Sequence, residues 1–592
     1  MSPQQKLEAL RTQMRAQNVQ ALFIPRADEY MGEYVLHHNE RLRFATGFTG
    51  SAGMAIITLD SAAIFVDGRY TVQVRQQLSA DLFEFYDLDN QQQLMFLAKS
   101  LKQGDKVAID ANCHSLTWVN NTNASLQILG IELAALPNNL IDAIWQDRPQ
   151  PSQLPTFTFS NESAGATSIE KRQLIAAEIN KHDADALLIT ELDAISWLLN
   201  LRSLNIPCLP VVIGRALLYA NGDMVFATNT ALLEDDVSAH VGSGVRFIEE
   251  ADFNKEFAAL NGKTMLADAN ISHAASQLAA LDAGIELINA TDPTALIKAQ
   301  KNPTELAGMR QAHIKDGIAV THFLAWLDEE VAAGNFYDEG VLADKLKRFR
   351  EVQPGFKDLS FDTISAVGGN AAMCHYNHKD TTPAVMPDNS IYLVDSGGQY
   401  LEGTTDVTRT IAIGQPSSEH IKMVTLVLKG HIALDQQKFP RGTCGAQLDV
   451  LARQHLWNQG FDYDHGTGHG VGHMLSVHEG PQRIAKNTNS VPLLPGMVVS
   501  NEPGYYKADD FGIRIENLIA VREMDNDFER PMLGFEALTL IPIDKRLIDK
   551  TLLNENEINW LNSYHLQVQQ TLMPQIMDKN VQLWLAQATS EL

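Results

Sequence analysis

Apolar residues recur at helical spacing after Asn302, at Leu306, Met309, Ile314, Ile318, Phe323, Leu324 and Leu327, and the pattern runs to Gly334. Asn302 suits a helix cap and Pro303 a first helical position, so a long helix is predicted to start there. Upstream, short apolar strands alternate with linking stretches. The first stretch gives a helix, ALFIP, FATGFTGSAGMAIIT and AAIFVDG; the second gives a helix, ALLIT, WLLNLRS and PVVIGRALLYANGDMVFA. The shared order predicts two α/β domains from one duplication. Downstream, strands are expected at IYLVD (391–395), RTIAI (409–413), MVVSNEP (497–503) and IRIENLIAV (513–521), with helices such as LDVLARQHLWNQG ending at Gly460. The last of these reads as one uninterrupted strand, whose period of two sets Arg514 and Glu516 on a single face. Asn554 and Glu557 form a capping box for a terminal helix.

Proline-rich RPQPSQLPTF (148–157) breaks the pattern once, and ATDPTALIKAQKNPTEL breaks it more softly. The expected domains are 1–150, 151–298 and 299–592. A length of 592 residues accommodates them with ample core.

The formal net charge of -26 leaves no excess of Lys and Arg to neutralise phosphates, so nucleic acid is excluded as a partner and anionic membrane surfaces are disfavoured. Cys113, Cys208, Cys374 and Cys444 form no CxxC pair, which argues against disulfide frameworks and thiolate zinc sites. The polar start MSPQQKLEALRTQMRAQ has no signal-peptide core, and no apolar run approaches the roughly 20 residues of a membrane span. The expected location is cytoplasmic.

Candidate chemistry gathers in the last third. Asp395 ends an apolar strand in IYLVDSGGQYLEGTTDVTRT, and Asp406 follows after two glycine turns. Asp before Gly is also a common turn element, so this pair alone decides little. DHGTGHGVGHMLSVHEGPQ carries His465, His469, His473 and His478 among glycines. The glycines oppose the helix that an HExxH zinc motif requires, and the loop suits a mixture of ligand and proton-transfer roles. SNEPGYY places Glu502 at a strand end, and GIRIEN places Glu516 within an apolar strand, where it is costly unless bound to metal or paired, Arg514 being the nearby candidate. Four carboxylates at one point repel, and two divalent cations would cancel their charge. Oxygen-rich ligation with one imidazole favours a hard ion such as manganese, with zinc, cobalt or iron compatible.

DSGGQYLEGTTDVTRT, HGTGHGVGHMLSVHEGP, NEPGYY and GIRIEN, together with FTGSAGMAIIT and VDGRYTVQ near the N-terminus, closely resemble the motifs of the aminopeptidase P family of pita-bread metallopeptidases. The resemblance covers most of the chain, and its length is similar to the three-domain cytosolic form. It implies an α/β (α+β) fold: two creatinase-N-terminal-like α/β domains, then a C-terminal pita-bread catalytic domain with a curved antiparallel sheet. It implies metal ligands Asp395, Asp406, His469, Glu502 and Glu516, two ions of which Mn(II) is the expected identity, and a homodimer. Active-site histidines map to His375, His465 and His478, whereas His473 falls outside the set.

The implied reaction is release of the first residue from peptide substrates with proline at position two. A pair of ions makes a shared water acidic enough to attack the scissile carbonyl. His375 or His478 would help stabilise the developing oxyanion. Glu502 would move the proton to the proline nitrogen, and His465 and Arg514 would shape the proline pocket. The rivals are a prolidase confined to Xaa-Pro dipeptides, a metal-free creatinase-like enzyme, and a non-catalytic binding relative.

Overall fold

The computed structural model describes residues 1–525 and 528–592. The chain forms two compact units, one of Met1–Asn161, Ala166–Pro207 and Val211–Thr294, the other of Glu162–Gly165, Cys208–Pro210 and Ala295–Leu592.

The first unit holds two six-stranded sheets. Strands β1 (Ala21–Pro25), β2 (Met54–Thr58), β3 (Ala62–Val66), β4 (Glu84–Asp87), β5 (Lys106–Ile109) and β6 (Glu132–Ala135) lie in the order β4-β3-β2-β1-β5-β6. Strands β7 (Ala186–Ile189), β8 (Arg215–Tyr219), β9 (Met224–Thr228), β10 (Val245–Glu249), β11 (Thr264–Ala267) and β12 (Glu286–Asn289) repeat it as β10-β9-β8-β7-β11-β12. Each sheet has antiparallel pairs in the middle of one half and parallel pairs elsewhere, in matching places. The central strands MAIIT and AAIFV are buried throughout, because helices cover both faces of such sheets. Burying one side chain such as Ile57 or Phe65 stabilises the fold by roughly 1.5–3 kcal/mol.

The likeness of the two sheets reaches single residues. After β5 the chain reads DANCHS (110–115), and after β11 it reads DANISH (268–273). Asp110 accepts from the Asn112 amide at 3.0 Å, and Asp268 accepts from the Asn270 amide at 2.9 Å, giving the same turn. The two copies meet through these segments: the Thr117 amide donates to Ala269 O and the Ala274 amide to His114 O, both at 2.8 Å.

In the second unit, helix α1 (Pro303–Ala332) starts as the sequence predicts. The Asn302 side chain accepts from the amides of Thr304 and Glu305, and the Glu305 carboxylate reaches back to the Asn302 amide. Its buried face includes Met309, Phe323 and Leu327. Helix α2 (Glu339–Glu351) follows, and Asn554 and Glu557 cap α3 (Glu555–Leu572) as a box. Strands β13 (Ile364–Val367), β14 (Ser390–Ser396) and β15 (Val407–Ile413) form one antiparallel sheet. Strands β16 (Gly468–Gly470), β17 (Glu479–Ile484), β18 (Val498–Asn501), β19 (Asn517–Glu523) and β20 (Met532–Ala537) belong to a second antiparallel sheet. Together with the helices they make the curved antiparallel pita-bread domain.

One expectation fails. IRIENLIAV is not a single strand: Phe511–Arg514 pairs with Gly504–Lys507, whereas β19 pairs with β18. Asn501 faces Asn517 and Gly504 faces Arg514, so Glu502–Pro503 and Ile515–Glu516 lie opposite one another and outside both ladders. Pro503 has no amide to donate. The Glu502 amide turns to Thr467 O (2.8 Å) and the Glu516 amide to Thr408 O (3.1 Å). The chain changes sheets at this crease, and a glutamate stands on each side of it.

Candidate metal centre

Four strand ends supply the site. Asp395 lies on β14, in register with Thr408 of β15, and Asp406 immediately precedes β15. Glu502 and Glu516 come from the crease, and His469 from the middle of the short strand β16. Glycine is required where these strands meet. A Cβ on Gly468 would stand 2.0 Å from Ser500 O, and one on Gly397 would stand 1.9 Å from Thr405 O.

The His469 Nδ1 lies 2.9 Å from Gly470 O. A carbonyl only accepts, so the proton sits on Nδ1 and Nε2 is aimed at the carboxylates. Nε2 is 3.4 Å from Asp406 Oδ2 and 3.6 Å from Glu502 Oε1. Ligand atoms of Asp406, His469 and Glu516 all lie within 4.8 Å of one another. Ser500 Oγ accepts from the His469 amide (3.0 Å) and donates to Glu502 Oε1 (3.2 Å), tying the two together.

The carboxylates have too few donors. Asp395 Oδ1, Asp406 Oδ1 and Glu516 Oε1 are buried and accept no hydrogen bond from any described residue. Burial, opposed by Arg514 and assisted by Asp406, pushes the Asp395 carboxyl up to about 6. Burial raises Glu502 against the pull of His469 and Arg514. Burial and the charges of Asp406, Asp395 and Glu502 hold Glu516 well above the carboxylate range. Burial disfavours a charged His469, but its bond to Asp406 and the charge of Glu502 outweigh that and lift it to about 9. Buried carboxylates gathered around one imidazole, with oxygens lacking donors, are what cation binding needs, and two divalent ions match four carboxylates in charge. The residues present therefore fit a dinuclear centre.

Arg514 does not pair with Glu516. It is 3% exposed, and its Nη2 lies 2.6 Å from Asp395 Oδ2, 119 residues away in the chain. Its Nη1 donates to Tyr506 Oη (2.6 Å) and its Nε to Thr408 Oγ1 (3.2 Å). Glu516 instead accepts from Thr408 Oγ1 at 2.8 Å. Tyr506 Oη is 2.8 Å from His465 Nε2, and His465 Nδ1 is 4.0 Å from Glu502 Oε2. Burial, then Arg514, holds His465 well below its ordinary value and so neutral. The His478 ring crosses that of His469 edge-on, with centroids 4.4 Å apart. His375 is half-buried and within electrostatic reach of His465. His473 is buried at 3% exposure. The sequence reading missed Tyr506, Thr408 and Ser500. Thr408 had a signal: it lies two residues beyond Asp406, on the same side of an extended chain.

The profile of metallopeptidase family M24 matches residues 307–523 and that of its C-terminal region 531–592, while two profiles of a creatinase/prolidase N-terminal domain match 6–142 and 147–305. Over 99% of its length the chain is 40% identical to a probable Xaa-Pro aminopeptidase P of Laccaria bicolor, 93% of which is covered. It is 34% identical to aminopeptidase P1 of Arabidopsis thaliana, with 98% of each covered. The structure of an X-prolyl aminopeptidase of Caenorhabditis elegans, described as a cytosolic enzyme with a di-nuclear active site, matches over 100% of both chains with a TM-score of 0.95 and 32% identity. With its fold, its carboxylate cluster and these relatives in agreement, the chain belongs to the Xaa-Pro aminopeptidase P family of M24 metallopeptidases.

Proposed function

We propose that this chain is an aminopeptidase that removes the first residue from peptides whose second residue is proline, using a dinuclear metal centre held by Asp395, Asp406, His469, Glu502 and Glu516. The observation that carries the reading is that Asp406, His469 and Glu516 bring ligand atoms within 4.8 Å of one another, while buried oxygens of Asp395, Asp406 and Glu516 accept no hydrogen bond from any described residue. When bound, two divalent ions supply an acidified water and polarise the scissile carbonyl. Glu502 accepts the proton of the attacking water and returns it to the departing proline nitrogen, which has no hydrogen of its own; a carboxyl raised by burial suits that exchange. His375 and His478 donate to the carbonyl oxygen as charge develops on it. Neutral His465, fixed by Tyr506, lines the proline side. Arg514 acts from behind, holding Asp395 and Tyr506 in place rather than touching the peptide.

Manganese as the native metal, a homodimer and a cytoplasmic location complete the proposal. Supporting the last, the Caenorhabditis neighbour is described as cytosolic, and among the described residues no helix is long and apolar enough to cross a membrane. The test is mass spectrometry of products from a Xaa-Pro-Yaa peptide with manganese or with chelator. Loss of the first residue in the manganese sample alone is expected. A tripeptide left intact while Xaa-Pro dipeptides are split would replace this reading with prolidase. Near-normal turnover in both His375→Ala and His478→Ala would remove the histidine roles.

A further inference from the structure

His375 sits in a stretch with little regular structure. Between β13 and β14 the chain makes only two 3-10 turns, Gly368–Ala372 and His378–Asp380. Stretches this long are normally either mobile or held by something outside themselves. Here one carboxylate bonds to several points of the stretch at once.

Glu339 opens helix α2 and is fully buried. Its Oε1 accepts from the Val367 amide (2.9 Å) and Asn370 Nδ2 (3.0 Å). Its Oε2 accepts from Tyr376 Oη (2.6 Å) and the Ala384 amide (2.9 Å). Its backbone joins in: the amide donates to Ala384 O at 3.1 Å, and the carbonyl accepts from Ser365 Oγ at 2.7 Å. The partners fall at the start, the middle and the end of the stretch, and Tyr376 is the chain neighbour of His375. These partners are neutral, and the carboxyl group also sits at the N-terminal end of α2. A buried carboxylate that satisfies several donors is costly to disturb, because each donor it releases is left without water.

We propose that Glu339 is the positioning residue for His375. By tying Val367, Asn370, Tyr376 and Ala384 to one point, it sets where the imidazole stands beside the metal centre. The inference rests on the reading that His375 acts on the scissile carbonyl, and it goes further by naming what makes that action possible.

The experiment is a double-mutant cycle with a structural readout. Glu339→Gln keeps the shape but turns an amide NH2 toward at least one backbone N–H that can only donate. Expected is a fall in kcat on a Xaa-Pro-Yaa peptide of between about 10-fold and 100-fold, with a much smaller change in KM, since a misplaced group costs the transition state most. In a His375→Ala background the same substitution should cost less than about twofold, because the group it positions is gone. Tyr376→Phe, which removes one of the bonds, should give a smaller loss with the same dependence on His375, and it carries the cycle if Glu339→Gln does not fold. Amide hydrogen exchange of the metal-free protein should speed up across 367–384 and stay unchanged in 390–396 and 407–413. Equal losses with and without His375, or exchange that is unchanged in 367–384 or raised throughout the unit, would overturn the proposal. The exchange measurement needs no turnover, so it decides on Glu339 separately from whether the chain cleaves before proline.

Discussion

Buried carboxylates of the first unit and those of the metal centre in the second are held in opposite ways. In the first, Asp28 Oδ1 accepts from the amides of Tyr30 and Gly32, and Asp292 Oδ1 from the amide and hydroxyl of Thr294; Asp28 Oδ2 lacks a donor among the described residues, but no second acid converges on it there. Burial still lifts both to about 6, but each stands as a local turn element. In the second unit, Asp395, Asp406, Glu502 and Glu516 come from distant stretches to one place, with oxygens left over. The strands tell the same story: β2 and β3 run unbroken through the first unit, whereas the ladder in the second is broken where the glutamates stand. Scattered buried acids with local donors serve the fold; convergent acids without donors are kept for something the protein must bind.

That contrast can be broken in both directions. Glu516→Gln should lower turnover by at least about 10³-fold. The same substitution should raise the melting temperature of the chelated protein near neutral pH, since it removes a carboxylate the fold holds mostly against ionisation. A lower melting temperature would mean that the buried charge helps the fold after all. Phe65→Ala should do the reverse. Phe65 is wholly buried and stacks on Tyr86 with centroids 5.2 Å apart, so the loss is about 3–5 kcal/mol in denaturant unfolding, with turnover per folded molecule unchanged.

Much of this was legible beforehand, for physical reasons. Asn302, Pro303 and Glu305 announce a helix within four residues, and Asp395 and Asp406 stand at strand ends marked by glycine. What stayed hidden depends on residues far apart in the chain. Nothing in IRIENLIAV marks a break at Glu516; the break is set with Glu502–Pro503 across the ladder. Arg514 lies two residues from Glu516 and binds Asp395 instead. Glu339 reads as an ordinary acid in a first helical turn.

Two finer tests sharpen the comparison. Thr408→Val removes the hydroxyl between Arg514 and Glu516, and metal affinity measured by titration should fall by about 10-fold to 100-fold with no loss of fold. The smallest effect is with pH. The folded Asp395 (about 6) binds protons more tightly than an unfolded one (3.8), and Glu502 and Glu516 shift the same way, so the metal-free protein loses stability as pH rises from about 4 through 6. His469, raised from 6.5 to about 9, adds stability below its unfolded value that is lost as pH climbs through 9. The rise in melting temperature on adding manganese should therefore grow with pH across this range. A rise that shrinks would show the site already charged without metal.

The meeting of DANCHS with DANISH has a consequence of another kind. Two separate chains would have to find one another at cellular concentrations before these backbone hydrogen bonds, or the bond from Tyr30 Oη to Glu250, could form. Carried on one polypeptide, the partners face each other at an effective concentration on the order of millimolar, so a weak handshake lasts. Each copy can then drift in sequence while the other keeps the grip.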